Sequence, residues 1–147
     1  MSIKSDIHNK VSELMGQNLT LANKLQEFEK SQDKRIDEIF CEFLTVIDTF
    51  ERAEQTIKDR ELDSDDNSKK AINRLLNAKK KCLFVLEKYD VKRIEFENNK
   101  SVEELCEVTD TEPDPNRETG DIVSIEKQGY TRHGHLIRPA EVIIVKN

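Results

Sequence analysis

The placement of glycine and proline is the feature that most constrains the fold of this chain. After Gly16 neither residue occurs again before Pro113, whereas six of them fall between Pro113 and Pro139. Glycine and proline interrupt regular structure more strongly than any other residues. The long stretch without them therefore predicts helices, and the tail predicts short strands joined by turns.

The first helical segment carries apolar residues at the alternating three- and four-residue spacing of a heptad seam. These are Val11, Leu14, Leu21, Leu25, Phe28 and Ile39. Asn18, Gln32 and Arg35 fall on the same seam. Such a pattern predicts a two-stranded coiled coil of modest stability, whose register is set partly by the polar residues. A single amphipathic helix is the alternative, but the pattern favours a dimeric stalk over residues 1–35.

The apolar stripe becomes broader from Ile36 onwards. It comprises Ile36, Ile39, Phe40, Phe43, Leu44, Ile47, Phe50, Ala53 and Ile57. This face is wider than a two-stranded seam requires, and it indicates a bundle. Residues 58–70 form a charged break, after which a second broad stripe extends to about Tyr89. Two helices from each of two copies would make a four-helix bundle, so we expect residues 36–90 to be a dimerisation region.

Composition supports assembly from two copies. Hydrophobic residues make up 35% of the chain and charged residues 37%, which supplies a single-chain core poorly but suits helices that bury one stripe. We expect the interface between the copies to use apolar residues of the stalk and of the first bundle helix. They are Leu14, Leu21, Leu25, Phe28, Ile36, Phe40, Phe43, Ile47 and Phe50.

The last third of the chain has the composition of a small β-domain. Residues 91–96, 121–128 and 141–146 are short β-branched runs typical of strands. Residues 111–120 combine Pro and Gly and predict an exposed loop. The fold class is therefore α+β, with a stalk helix, a helical bundle and a β-domain over residues 91–147.

Several classes of function are disfavoured by charge and hydropathy. The net charge of -6 argues against general nucleic-acid binding, which needs a surplus of Lys and Arg. No apolar run approaches the ~18 residues of a transmembrane helix. The N-terminus shows no signal or transit pattern, so we expect a cytosolic protein. The three cysteines show neither a disulfide framework nor a CxxC metal motif.

One motif resembles a known family. Residues 129–145 read GYTRHGHLIRPAEVIIV, which is similar to the C-terminal signature of the GrpE nucleotide-exchange factors. The matching positions are Gly129, Tyr130, Gly134, Ile137, Arg138, Ala140, Val142 and Ile144. FLTVIDTFERA (43–53) and KYDVKRI (88–94) resemble two further segments of the same family, in the same order along the chain.

The resemblance implies a function. GrpE proteins are homodimeric co-chaperones without enzymatic activity or cofactor, and they hold open the nucleotide-binding domain of a DnaK-type chaperone so that ADP escapes. By this resemblance, the residues expected to bind the chaperone are His135, Arg138 and Ile144 of the β-domain, with Gln55 and Arg74 of the bundle. The planar fork of Arg138 suits a carboxylate either within its own domain or on a partner.

Two departures from the family pattern support alternative interpretations of the function. The segment SVEELCEV (101–108) places Cys106 where the family usually has His, and His135 stands where many members have Arg. A GrpE-fold dimer that acts as a scaffold without exchange activity is therefore one alternative. A metal site formed by His133, His135 and Cys106 is another, although an isolated His-x-His is a weak motif. A membrane-surface helix is disfavoured because acids and bases alternate along the stalk.

Overall fold

The computed structural model describes residues 2–147. Two α-helices precede a small β region, which confirms the predicted α+β class and its order along the chain. The helices are α1 (Ile3–Asp59) and α2 (Asp66–Lys88). The strands are β1 (Val91–Arg93), β2 (Cys106–Glu112), β3 (Ile122–Lys127), β4 (Tyr130–Arg132), β5 (His135–Arg138) and β6 (Ala140–Val145).

The chain divides into two compact units, one ending at Ile39 and one from Phe40 to Asn147. The first unit is a single continuous stretch of α1. Its apolar seam residues are exposed in one chain, from 47% for Val11 to 65% for Ile39. A mostly apolar seam that is exposed along a single helix is typical of helices that pair. The dimeric stalk stays a prediction.

The charged break between the helices contains the residue that caps the start of α2. Asp65 is the N-cap, and its Oδ1 accepts hydrogen bonds from the backbone N–H groups of Asn67 and Ser68, both at 3.0 Å. Hydrogen bonds from Ser68, followed by the one from Asn67, lower the pKa of Asp65 below its ordinary value. The carboxylate thus satisfies backbone donors that have no partner within the helix.

The helices share their core with a three-stranded antiparallel sheet, which we call the inner sheet (order β1-β4-β5). Leu44 and Ile47 of α1, Leu86 of α2, Val91 of β1 and Tyr130 of β4 form one buried cluster. Each of these side chains is at most 2% exposed. The inner sheet is therefore held on the helices by apolar packing.

The other three strands form an outer sheet (order β2-β6-β3) with a core of its own. The central strand β6 is parallel to β2 and antiparallel to β3. The buried residues of this core are Ile122, Ala140 and Val142, and Ile144 packs half-buried against them. Strand β2 occupies part of the segment predicted as a loop, because residues 111 and 112 pair with Ile144 and Val145.

Candidate functional site

The side chain of Arg138 joins the helices to the sheets. Its two terminal nitrogens donate to the two carboxylate oxygens of Asp48 on α1, at 2.8 and 2.7 Å. Its Nε and Nη2 also donate to the carbonyl oxygen of Gln128, at 3.0 and 2.7 Å. The guanidinium lies 5.3 Å from the ring centre of Tyr130. The fork predicted from the sequence is thus engaged by a carboxylate of its own chain.

A second set of charged contacts lies one helical turn further along α1. Glu51 accepts a hydrogen bond from Arg93 of β1 and lies 3.9 Å from the Lys79 ammonium of α2. Lys79 also donates to Glu54 at 2.8 Å. That hydrogen bond is the main reason why the pKa of Glu54 is lowered from its ordinary value. This set ties α1 to both α2 and the inner sheet.

The same side of α1 contacts β5 at a third point. The Cys41 thiol donates to the carbonyl oxygen of Ile137 at 3.1 Å. Cys41 and Asp48 are seven residues apart, which is about two helical turns, so both lie on one face of α1. Their partners Ile137 and Arg138 are neighbours on β5. The end of β5 therefore lies against α1.

Gly129 is required by close packing between the two sheets. A Cβ atom at this position would lie 2.5 Å from the backbone nitrogen of Ala140 and 2.8 Å from Cδ1 of Ile94. Any other residue would force the backbone apart. Ala140 and Val142 are fully buried. Four residues of the C-terminal signature thus hold the two sheets in place: Gly129, Arg138, Ala140 and Val142.

The residues predicted to bind a chaperone lie on four different elements. Gln55 of α1 lines a polar groove between α1 and the outer sheet, together with residues 124–128 and Glu141. Arg74 is exposed on α2, and His135 is exposed at the start of β5. Arg138 is engaged as described, with 11% of its side chain exposed. Ile144 packs half-buried on the core of the outer sheet. Their contact with a chaperone stays a prediction.

The residues predicted for the dimer interface of the bundle separate into two groups. Ile47 has no exposed surface, and Phe40 and Phe43 pack partly buried against the inner core, so these three support the helices of their own chain. Phe50 lines an apolar groove between α1 and α2. The same groove is lined by Val46 and Leu75, which are 44% and 55% exposed and were absent from the predicted set.

The geometry around the histidines does not assemble a metal site. His133 Nδ1 lies 3.4 Å from a carboxylate oxygen of Asp90, and the Cys106 thiol donates to the carbonyl oxygen of Val102 at 3.0 Å. Within residues 2–147 no three His, Cys, Asp or Glu side chains are grouped closely enough to hold a metal ion. Over the same residues, neither helix has the length and apolar character needed to cross a membrane.

Comparison with known proteins agrees with this architecture. The family model described as GrpE matches residues 4–146. Protein GrpE of Colwellia psychrerythraea is 28% identical over 122 residues, covering 82% of this chain and 56% of that protein. The mitochondrial GrpE protein homolog of Neurospora crassa is 27% identical over 128 residues, covering 83% and 54%. Protein GrpE of Blochmanniella floridana is 29% identical over 127 residues, covering 84% and 61%.

The chain therefore spans a little more than half the length of the curated relatives it matches. The matched region includes α1, α2 and both sheets. It also contains Asp48 and Arg138, the two ends of the ion pair between the helices and the strands. This protein belongs to the GrpE family.

Proposed function

We propose that the protein is a nucleotide-exchange co-chaperone and not an enzyme. It binds the nucleotide-binding domain of a DnaK-type chaperone, opens the nucleotide cleft and accelerates the release of ADP, with no cofactor of its own. The observation that supports this most directly is the family match, which extends over the helices and both sheets. The expectation of a cytosolic location stays a prediction.

The proposed mechanism rests on preferential binding. The protein must bind the open conformation of the chaperone more tightly than the closed one. By reciprocity, nucleotide that closes the cleft weakens the complex, so that ATP would release the exchange factor. A ~1,000-fold acceleration of ADP release corresponds to about 4 kcal/mol of preferential stabilisation at the barrier. A few charge-assisted and apolar contacts are enough to supply this energy.

We assign the chaperone-binding surface to exposed and half-exposed residues of the second unit. His135 and Ile144 would contribute from the two sheets, Gln55 from the polar groove, and Arg74 from α2. Arg138 contributes indirectly, because its hydrogen-bonding capacity is directed to Asp48 and Gln128. Two copies would pair through the stalk seam and through the apolar groove that contains Phe50.

The test is the dissociation rate of a fluorescent ADP analogue from the DnaK-type chaperones of the same organism, with and without this protein. We expect acceleration that saturates with protein concentration. His135→Ala should raise the concentration needed for half-maximal effect. His8→Ala replaces an exposed histidine of the first unit and is the matched control. Equal behaviour of the two variants would remove His135 from the binding surface.

The same assay tests the scaffold alternative. The departures at Cys106 and His135 from the family pattern are the observations in its favour. A scaffold would bind its partner without changing the dissociation rate of ADP from any of the chaperones. That result would overturn exchange activity for this chain.

A further inference from the structure

We infer that Asp48 and Arg138 are positioning residues: their ion pair fixes the angle of the outer sheet relative to the helices. This inference rests on the proposed function, since that angle would decide how far the lobes of the chaperone are held apart. Few connections join the two sheets, and Arg138 contacts or adjoins two of them.

The two sheets are separate packing units. The buried cluster of the inner sheet includes Leu44, Leu86 and Tyr130, whereas that of the outer sheet is built from Ile122, Ala140 and Val142. The two clusters have no residue in common. Close-packed units resist internal deformation, so a change in their relative orientation is taken up by the segments between them.

Two of the three chain connections between the sheets are very short. Gln128 and Gly129 are the only residues between β3 and β4, and Pro139 is the only residue between β5 and β6. These connections lie side by side, because Gly129 approaches the backbone of Pro139 and Ala140 too closely to allow a Cβ. Together they form a narrow strip about which the outer sheet could rotate. The third connection, residues 94–105, is longer and contains a 3₁₀ turn.

Arg138 is linked directly to both short connections. It directly precedes Pro139, and its Nε and Nη2 donate to the carbonyl oxygen of Gln128. The other end of the guanidinium is held by both carboxylate oxygens of Asp48 on α1. A planar, bidentate pair specifies direction as well as distance. Rotation of the outer sheet about the strip would therefore break several charge-assisted hydrogen bonds together.

The structural test measures the angle without any chaperone. Spin labels attached through unnatural amino acids at the exposed positions Lys81 of α2 and Glu107 of β2 report one helix-to-outer-sheet distance. Labelled chains are diluted into unlabelled protein so that each assembly carries one pair. We expect one narrow distance distribution for the parent chain. Asp48→Asn and Arg138→Lys should broaden it at least about twofold, because each removes the bidentate charged pair.

The functional test uses the same variants, after circular dichroism has shown that they are folded at the assay temperature. Proteins that act by positioning need their contact surfaces held within about 10–20°. We therefore expect the maximal ADP release rate at saturating protein to fall about threefold or more, with a smaller change in the half-maximal concentration. Lys100→Gln is the matched control. It removes ion pairs to Asp121 and Glu118, at 2.7 and 2.5 Å, that join the longer connection between the sheets to the loop before β3 without reaching the helices.

Each outcome decides the inference. A distribution as narrow in Asp48→Asn as in the parent would overturn it. So would a broadened distribution with an unchanged maximal rate, which would leave the proposed function standing without the positioning role. If the parent chain fails to accelerate ADP release, the proposed function fails. The distance measurement then still shows whether the ion pair fixes the angle.

Discussion

Asp48 and Arg138 are 90 residues apart in the sequence and form a bidentate ion pair in the folded chain. Asp48 lies in the first segment that resembles the GrpE family, and Arg138 lies in the C-terminal signature. Two of the three segments that resemble the family therefore meet in one contact. Their side chains are 16% and 11% exposed, so the pair is shielded from most solvent.

Asp48→Asn should lower the free energy of unfolding by about 2 kcal/mol. Breaking a well-shielded ion pair by neutralising one partner leaves the other charge poorly compensated, and such changes cost several kcal/mol when the site is fully buried. Urea unfolding followed by circular dichroism measures the difference. Lys127→Gln breaks a 3.5 Å pair with Glu141 in which both side chains are more than a third exposed, and should change stability by less than about 0.5 kcal/mol. Equal losses of unfolding free energy in the two variants would show that the Asp48–Arg138 pair contributes no more than an exposed ion pair.

Gly129→Ala should destabilise the protein by about 3 kcal/mol or more. The added methyl group would lie 2.5 Å from the nitrogen of Ala140, and a backbone atom cannot move aside as the end of a flexible side chain can. The strands on both sides would have to separate. Thermal unfolding of the variant measures the loss, and an unchanged midpoint would show that the close approach is not required.

Gly16→Ala should have the opposite effect and stabilise the protein. Gly16 lies inside α1, and nothing is within 4 Å of the Cβ position. Alanine avoids the entropic cost of glycine in a helix and should stabilise the stalk by about 0.5–1 kcal/mol. The measurement is the helical signal at 222 nm of the two proteins during heating. A lower helical content in the alanine variant would contradict a continuous helix through residue 16.

The sequence predicted the order of helices and strands because glycine and proline are so unevenly distributed. The three predicted strand runs did not cover β2, β4 or β5. In β2, six of the seven residues are exposed and no apolar alternation marks the strand. That strand is held by backbone pairing with β6, which a pattern of side chains does not reveal. Only the fold could show which carboxylate Arg138 would bind, because Asp48 is so distant in sequence.

The spacing of the apolar residues also did not show which side of the broad stripe on α1 packs inside its own chain. Ile47 and Val46 are neighbours in the sequence, but Ile47 is fully buried in its own chain while Val46 is 44% exposed. A stripe wide enough for a bundle contains both kinds of position, and its spacing does not say which side faces the chain's own sheet. The predicted interface included Ile47 and omitted Val46, and which residues lie between two copies stays a prediction.

The pair between Glu54 and Lys79 predicts a specific dependence of stability on pH. The pKa of Glu54 is lowered in the folded chain, chiefly by the hydrogen bond from Lys79, from an ordinary value of 4.5. Its contribution is therefore complete above about pH 4.5 and is lost as the pH falls through the folded pKa. Glu54→Gln should cost about 0.5 kcal/mol at pH 7, since the Glu54 side chain is 30% exposed.

Urea unfolding of the parent chain and of Glu54→Gln at pH 7 and at pH 3 measures this dependence. The difference between the two proteins should shrink at the lower pH, because a growing fraction of the Glu54 carboxyl is protonated as the pH falls toward and through its lowered pKa. A difference that increases on acidification would show that Glu54 is not stabilised as an anion.

The apolar groove between α1 and α2 provides the most direct test of the proposed dimer. Val46 and Leu75 line it and are about half exposed in a single chain. A second copy that covers this groove would bury Val46, and a carboxylate there would lose its hydration without gaining a partner. We expect Val46→Glu to weaken dimerisation by at least about 2 kcal/mol, or roughly 30-fold in the dissociation constant.

Sedimentation equilibrium over a range of concentrations measures that constant. Val102→Glu is the matched control: Val102 is 37% exposed and lies between β1 and β2, outside both helices. It makes the same chemical change away from the groove and should leave the mass distribution as in the parent chain. If Val46→Glu and the parent chain associate equally, this groove does not lie in the interface, and pairing must depend on the exposed seam of the stalk alone.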